Sequence, residues 1–155
     1  RYEHHRKEDK DMQELPHHYA VNASGSAQGT ITLTADSMPT LQSAPPEQFG
    51  GPGDQWSPEH LLTAAVADCF ILTFRAVAQA SKLEWTQLDV SAEGTLDREE
   101  RTMKFTAFTV TATLTVPEGT DPAKAERVME KSEAACLITN SLSAETHLNA
   151  NVVQG

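Results

Sequence analysis

Basic side chains are scarce in this sequence. The 155-residue chain has 12 Lys and Arg against 22 Asp and Glu, which gives a formal net charge of −10. Nucleic acids and anionic membrane surfaces repel such a chain, so we expect neither as a partner. Long apolar runs are also missing, because the best one, 61–74, contains Asp68 and is too short for a bilayer span. We find no secretory signal and expect a cytoplasmic protein.

Cysteine is nearly absent as well. The chain has two, Cys69 and Cys136, which lie 67 residues apart. A disulfide-rich scaffold is therefore excluded, and composition also excludes collagen-like and coiled-coil proteins. In a reducing compartment two cysteines are more often catalytic or inert than a structural disulfide. The two thiols are the first candidates for chemistry, although each could also be an inert core residue.

Motifs for metals, phosphates and dinucleotides are missing too. The six histidines show no metal-ligand spacing joined to the cysteines, and Gly50–Gly53 lacks the lysine of a phosphate-binding loop. There is no nucleophile elbow of the Gly-x-Ser-x-Gly type. We therefore expect neither a bound metal nor a bound cofactor.

Patterning divides the chain into a charged start and a folded body. Residues 1–11 are almost all charged and precede Met12, so we expect a flexible extension or a cloning remnant. Residues 12–155 are predicted to form a single domain. Period-2 alternation predicts its strands, over 19–23, 29–35, 88–96, 102–116 and around 147–152. After the strand predicted over 29–35, residues 43–54 are rich in Pro and Gly, which indicates an ordered loop.

Two helices complete the predicted α+β domain. The first has Ser57 as N-cap and Pro58 at its first position, and it runs to about Ser81. It is apolar over more than one face, which predicts a buried, central helix. The second helix is predicted over 121–136. In the long second hairpin the apolar phase shifts, which predicts a β-bulge near residues 106–107.

Glu59 lies in the first turn of the first helix, where the helix dipole favours a carboxylate. It precedes Cys69 by ten residues, roughly 15 Å along a straight helix. Contact between them would need a bend or a residue from a partner chain, so spacing alone does not establish a Cys–Glu site.

Two segments together resemble a known family. PEQFGGPGDQWSPEHLLTAAVADCFILTF, which ends at Phe74, and CLITNSL, which begins at Cys136, resemble the two signature segments of the OsmC/Ohr family (osmotically inducible protein C and organic hydroperoxide resistance protein). The resemblance covers roughly 19–152. It implies an intertwined homodimer in which antiparallel sheets wrap around two central helices, with two active sites at the interface.

The resemblance also implies a function. Cys69 matches the peroxidatic cysteine, Cys136 the resolving cysteine, and Glu59 the glutamate that pairs with a catalytic arginine. The implied activity is reduction of organic hydroperoxides to alcohols through a Cys69 sulfenic acid and a Cys69–Cys136 disulfide. An external dithiol, of the dihydrolipoyl type in this family, would reopen the disulfide.

The sequence departs from the family pattern at two places. No Arg or Lys occurs between Lys10 and Arg75, where the family's arginine is expected, and Leu137 replaces the usual proline after the second cysteine. Burial without a nearby cation raises the pKa of a thiol, so we expect the pKa of Cys69 to lie above that of the family's peroxidases. Either a basic residue from elsewhere substitutes for the arginine, such as Arg98 or Arg101 across the dimer interface, or Cys69 stays mostly protonated at neutral pH. Two alternatives therefore stay open: a small-ligand-binding protein without peroxidase activity, or a Cys69-dependent hydrolase with His60 as its base.

Overall fold

The computed structural model describes residues 12–155, and the chain divides into two compact units, one ending at Trp56 and the other spanning Ser57–Gly155. The predicted extension, 1–11, lies outside the described residues. The single domain predicted for 12–155 stays a prediction, and each unit is described by itself.

The first unit contains a three-stranded antiparallel sheet. Its strands are β1 (Asn22–Ser24), β2 (Ile31–Thr34) and β3 (Leu41–Ser43), with β2 in the centre. The strand predicted at 19–23 lies a few residues later than expected, and β3 was not predicted, because three residues are too few to show alternation.

The Pro- and Gly-rich loop of this unit is ordered, as predicted. A short 3-10 turn covers Glu47–Phe49, and the Gly51 N–H donates to the carbonyl of Pro46. A β-carbon on Gly51 would lie 1.7 Å from the Pro45 carbonyl oxygen. The tight path of the loop therefore requires glycine at this position.

The second unit begins with the long helix α1 (Pro58–Ala80). Its predicted start is confirmed, since the Ser57 side chain accepts a hydrogen bond from the His60 N–H. Its buried residues recur every four positions, at Val66, Phe70, Phe74 and Ala78. The rest of its circumference is less buried than predicted, because Leu72 on another side is 53% exposed. Within one chain, α1 packs through one face.

A mixed three-stranded sheet packs against α1. Strands β4 (Gln87–Glu99) and β5 (Thr102–Val116) form a long antiparallel hairpin, and β6 (Glu145–Gln154) runs parallel to β5. The predicted bulge is confirmed: Thr95 pairs with Ala107 and Leu96 with Phe105, which leaves Thr106 unpaired. The all-antiparallel expectation is wrong for this sheet, because the two helices between β5 and β6 carry the chain back to the same end.

Those connecting helices are α2 (Pro122–Ala135) and the single turn α3 (Leu137–Asn140). The Asp121 side chain accepts a hydrogen bond from the Ala123 N–H and so caps α2. Cys136 stands between the two helices, as the C-cap of the first and the N-cap of the second. The apolar core of the unit lies between the sheet, α1 and α2, with Phe74, Phe108 and Met129 fully buried.

Helix α1 has the length and composition of a membrane span. The sequence-based judgement that its apolar run is too short is therefore wrong on length, because the helix continues beyond that run at both ends. This is weak evidence for a membrane, since the core helix of a globular protein meets the same criteria. Its buried stripe packs against the sheet, which is typical of a core helix.

Candidate functional site

The two cysteines meet where α1 packs against α3. Cys69 lies midway along α1 and is half-buried, whereas Cys136 between α2 and α3 is 1% exposed. The two side chains are near enough for each to affect the pKa of the other, and both are free thiols. The prediction that the cysteines lie close together in one subunit is therefore confirmed.

Hydrogen-bond donors surround the Cys69 sulfur. Burial raises the pKa of Cys69, but hydrogen bonds from the backbone of Ile138, the Cys136 thiol, the Thr73 hydroxyl and the backbone of Leu137 outweigh it. The Cys69 Sγ and Thr73 Oγ1 are 3.7 Å apart. The net effect is a pKa of Cys69 below the ordinary thiol value.

Cys136 is affected in the opposite direction. Burial raises its pKa, and the hydrogen bond to Cys69 together with the charge on Cys69 raises it further. Hydrogen bonds to the backbone and hydroxyl of Thr139 only partly oppose this. Because the pKa of Cys69 is lowered and that of Cys136 is raised, Cys69 is the sulfur that ionises first.

The expectation about the pKa of Cys69 did not include these hydrogen-bond donors. That expectation assumed that only a basic side chain opposes the effect of burial on the thiol pKa. Backbone N–H groups at the start of α3 act instead, and sequence reasoning missed them because they come from a distant segment. Thr73 was also missed, although its position four residues after Cys69 on a helix places it on the same face.

An open pocket of about 410 Å³ leads to Cys69. It lies between α1 and the start of α3, and its walls are mostly apolar. The residues that line it are Ala65, Asp68, Cys69, Leu72, Thr73, Leu137 and Ile138. Cys136 does not line the pocket; it is buried next to Cys69. A small apolar molecule in the pocket would lie beside Cys69 rather than Cys136, since only Cys69 lines it.

Glu59 is not part of this pocket. It lies at the start of α1, and its backbone carbonyl accepts a hydrogen bond from the Thr63 hydroxyl. Its carboxylate oxygen Oε1 is buried and has no hydrogen-bond partner among residues 12–155. The described chain therefore does not join Glu59 to Cys69, as the ten-residue spacing indicated, and the role of Glu59 stays a prediction.

The His60 ring is hydrogen-bonded to the nearby Ser57 hydroxyl. Its Nδ1 lies 2.6 Å from the Ser57 hydroxyl oxygen, at the start of α1 and away from the Cys69 pocket. The hydrolase alternative needs a base beside Cys69, and within residues 12–155 no histidine is hydrogen-bonded to that sulfur. Nor do the described residues contain a cluster of three or more metal-ligating side chains.

Comparisons with known proteins agree with this geometry. A family model described as OsmC-like protein matches residues 51–151. The chain is 26% identical over 146 residues to the uncharacterized protein YmaD of Bacillus subtilis. This alignment covers 90% of this chain and 97% of that protein. It is 29% identical over 121 residues to an organic hydroperoxide resistance protein of Xanthomonas axonopodis pv. citri, covering 78% and 83% of the two chains.

A solved structure gives the same fold. An OsmC-like protein of unknown function from Vibrio cholerae superposes with a TM-score of 0.79 at 14% identity. The match covers 87% of this chain and 99% of that one. The predicted α+β fold and the resemblance stated from the two sequence segments are confirmed.

Proposed function

The chain belongs to the OsmC-like protein family, and we propose that within it the protein is a thiol peroxidase for organic hydroperoxides. The observation that carries the proposal is the pair of neighbouring thiols beside an open pocket, with the pKa lowered at Cys69 and raised at Cys136. A relative named for organic hydroperoxide resistance supports the same substrate class. The apolar walls of the Cys69 pocket favour an alkyl or aryl hydroperoxide over hydrogen peroxide.

The first step is attack by the Cys69 thiolate on the terminal oxygen of the hydroperoxide. An S–O bond forms, the O–O bond breaks, and the alkoxide takes a proton from solvent and leaves as the alcohol. Sulfur is oxidised by two electrons to sulfenic acid, and the peroxide is reduced. Donors to the Cys69 sulfur, above all the backbone of Ile138, favour the ionised form of the nucleophile.

The second step uses Cys136. Its sulfur attacks the sulfenic sulfur of Cys69, so that an S–S bond forms, the S–O bond breaks, and the hydroxide leaves as water with the Cys136 proton. An external dithiol then reduces the disulfide by thiol exchange, which returns both thiols and leaves the reductant as a disulfide. We propose a reductant of the dihydrolipoyl type. In this scheme the chain needs neither a metal nor a resident cofactor.

We also propose a homodimer. Leu72 on the outer side of α1 is 53% exposed, so a second copy has an apolar side chain there to cover. The buried, unpartnered Glu59 oxygen is suited to a cationic side chain, which a second copy could supply. Sedimentation is expected to give twice the 16.9 kDa mass of one chain. A mass of one chain at the concentrations used for activity would contradict the dimer. Cytoplasmic localisation likewise stays a prediction.

A single titration tests the peroxidase proposal. Reduced protein is mixed with one equivalent of cumene hydroperoxide, free thiols are counted, and the protein mass is measured without reductant. We expect both thiols to disappear, one cumyl alcohol to form, and the mass to fall by that of two hydrogens as the internal disulfide closes. Protein previously alkylated with iodoacetamide is the control. Thiols that persist while peroxide stays unconsumed would instead favour the small-ligand-binding alternative.

A further inference from the structure

The hydroxyl of Thr73 is directed at the Cys69 sulfur rather than at the backbone of its own helix. Thr63, earlier in the same helix, donates to the backbone carbonyl of Glu59 four residues before it, as hydroxyls in helices commonly do. The hydrogen bond of Thr73 goes instead to the side chain four residues before it, with Oγ1 3.7 Å from the Cys69 Sγ. A polar group of α1 is therefore placed beside the nucleophile.

This contact is made within one helix. Residues four positions apart lie on the same face, so the backbone of α1 alone brings Thr73 and Cys69 together. No segment outside the helix is needed for the contact, and a second copy packed beside α1 leaves it in place. Both side chains are half-buried and line the same pocket. A molecule that reaches the sulfur through this pocket therefore lies beside the hydroxyl as well.

The charge of the sulfur fixes the direction of this hydrogen bond. A thiolate has no proton, so the Thr73 hydroxyl is the donor whenever Cys69 is ionised. In a productive approach the terminal oxygen of a peroxide lies about 3–3.5 Å from the attacking sulfur. The Thr73 oxygen, 3.7 Å from the same sulfur, is then within hydrogen-bond reach of a peroxide on its side of the pocket. Rotation about the Cβ–Oγ1 bond redirects the hydrogen without moving the rest of the side chain.

We propose that Thr73 is a catalytic residue, whose hydroxyl donates first to the Cys69 thiolate and then to the peroxide oxygen on which negative charge develops. As the S–O bond forms and the O–O bond breaks, this charge moves from sulfur to the leaving alkoxide oxygen. The hydroxyl follows the charge and keeps its own proton, while the alkoxide is protonated by solvent. A donor already placed where charge develops stabilises the transition state. The inference rests on the proposed peroxidase function.

The experiment compares two reactions of the same thiolate. Alkylation by iodoacetamide releases iodide, whereas reduction of cumene hydroperoxide releases an alkoxide, which gains far more from a hydrogen-bond donor. The rate of Cys69 alkylation is followed by peptide mass spectrometry and the peroxide reaction by stopped flow, each as a function of pH. The limiting rates at high pH, where Cys69 is fully ionised, are then divided. Their ratio cancels the thiolate fraction and reports on the peroxide step alone.

Variants of Thr73 assign the effect to the hydroxyl. Thr73→Val replaces the hydroxyl by a methyl group of similar size, and we expect it to lower the ratio of peroxide to alkylation rates by about tenfold. Thr73→Ser keeps the hydroxyl and should keep the ratio close to that of wild type. Thr73→Ala and Thr73→Ser form a second pair that differs only by the hydroxyl, so the comparison holds even where valine disturbs the packing.

Three outcomes would contradict the proposal. Equal ratios in wild type and Thr73→Val, or in Thr73→Ala and Thr73→Ser, would overturn the catalytic role and leave the peroxidase function intact. An alkylation profile of Thr73→Val that moves to higher pH while the ratio stays constant would limit the hydroxyl to stabilising the thiolate, which also overturns the role. Wild-type protein that is alkylated normally but leaves cumene hydroperoxide unconsumed would instead refute the peroxidase function itself.

Discussion

The surroundings of Cys69 and Cys136 differ, although the two thiols are neighbours and affect each other's pKa. Burial raises the pKa of both thiols. At Cys69, donors from the backbone of α3, from Thr73 and from Cys136 reverse that effect, whereas at Cys136 those from Thr139 do not. Cys69 also faces an open pocket, and Cys136 is 1% exposed.

Burial raises the pKa of both thiols, so burial does not explain why their pKa values shift in opposite directions. The hydrogen-bond donors that reach each sulfur explain the difference. A half-buried thiolate facing a pocket is suited to attack a substrate. A buried thiol beside that thiolate is suited to react with the sulfenic acid afterwards, since oxidants in solvent do not reach the buried sulfur directly. The following predictions test this distinction.

The largest expected effect separates the roles of the two sulfurs. Cys69→Ser should reduce peroxide consumption to background, because a hydroxyl at this position is not ionised at neutral pH. Cys136→Ser should consume one peroxide per subunit and then stop, because its sulfenic acid has no thiol partner. Stopped-flow peroxide consumption and trapping of the sulfenic acid with dimedone distinguish the two outcomes. Equal rates for wild type and Cys69→Ser would refute the assignment.

A smaller effect is expected from one backbone donor. Leu137 is the first residue of α3, and the preceding Cys136 has φ −66° and ψ 110°, a conformation that tolerates a following proline. Leu137→Pro therefore removes the N–H and keeps the backbone path. The pKa of Cys69 should rise, and iodoacetamide alkylation at pH 7 should slow by about threefold to fivefold.

The control for this change is Leu137→Ala, which removes the side chain and keeps the N–H. Its alkylation rate at pH 7 should stay within about twofold of wild type. In Leu137→Pro the pH profile should move to higher pH with the same limiting rate, which a merely disturbed site would not show. Equal slowing in both variants would mean that the side chain, not the backbone donor, supports the thiolate.

The smallest expected effect concerns Glu133, one turn before Cys136. Burial raises the pKa of Glu133, the nearby His147 lowers it, and Glu130 raises it. A raised folded-state pKa means that the protonated form stabilises the fold at low pH, and that this contribution is lost as the pH rises through the folded pKa.

Glu133→Gln, which stays uncharged, should therefore raise the melting temperature at pH 7 by about 1–2 °C, a small value because the side chain is partly solvated. The gain should vanish near pH 4, where the wild-type carboxyl is protonated. Glu126→Gln on the exposed side of α2 is the matched control. A gain of the same size at both pH values would contradict the electrostatic explanation.

Local signals predicted much of the fold. Ser57 and Pro58 marked the start of α1, Asp121 and Pro122 that of α2, and the phase shift in β5 marked the bulge. Each of these signals depends on residues within a few positions of each other. The parallel pairing of β6 with β5 and the three-residue strand β3 left no such local signal, and both were missed.

The candidate site was predictable in part. Two matching segments pointed to Cys69 and Cys136, and the helix spacing correctly indicated that Glu59 does not contact Cys69 within one chain. The hydrogen-bond donors that lower the pKa of Cys69 were not predicted. A search for basic side chains overlooks backbone N–H groups, since every residue but proline carries one and the sequence does not say which will face a sulfur.

The sequence by itself determined where the helices and the long hairpin lie, which residues are able to supply thiol chemistry, and that the chain is strongly acidic. The tertiary structure decided which thiol ionises first, what stabilises it, and that Asp68 shares its pocket. The physical reason is distance along the chain. Capping and alternation act between neighbours, whereas the donors to Cys69 belong to a segment that only the packing of α1 against α3 brings within a hydrogen bond.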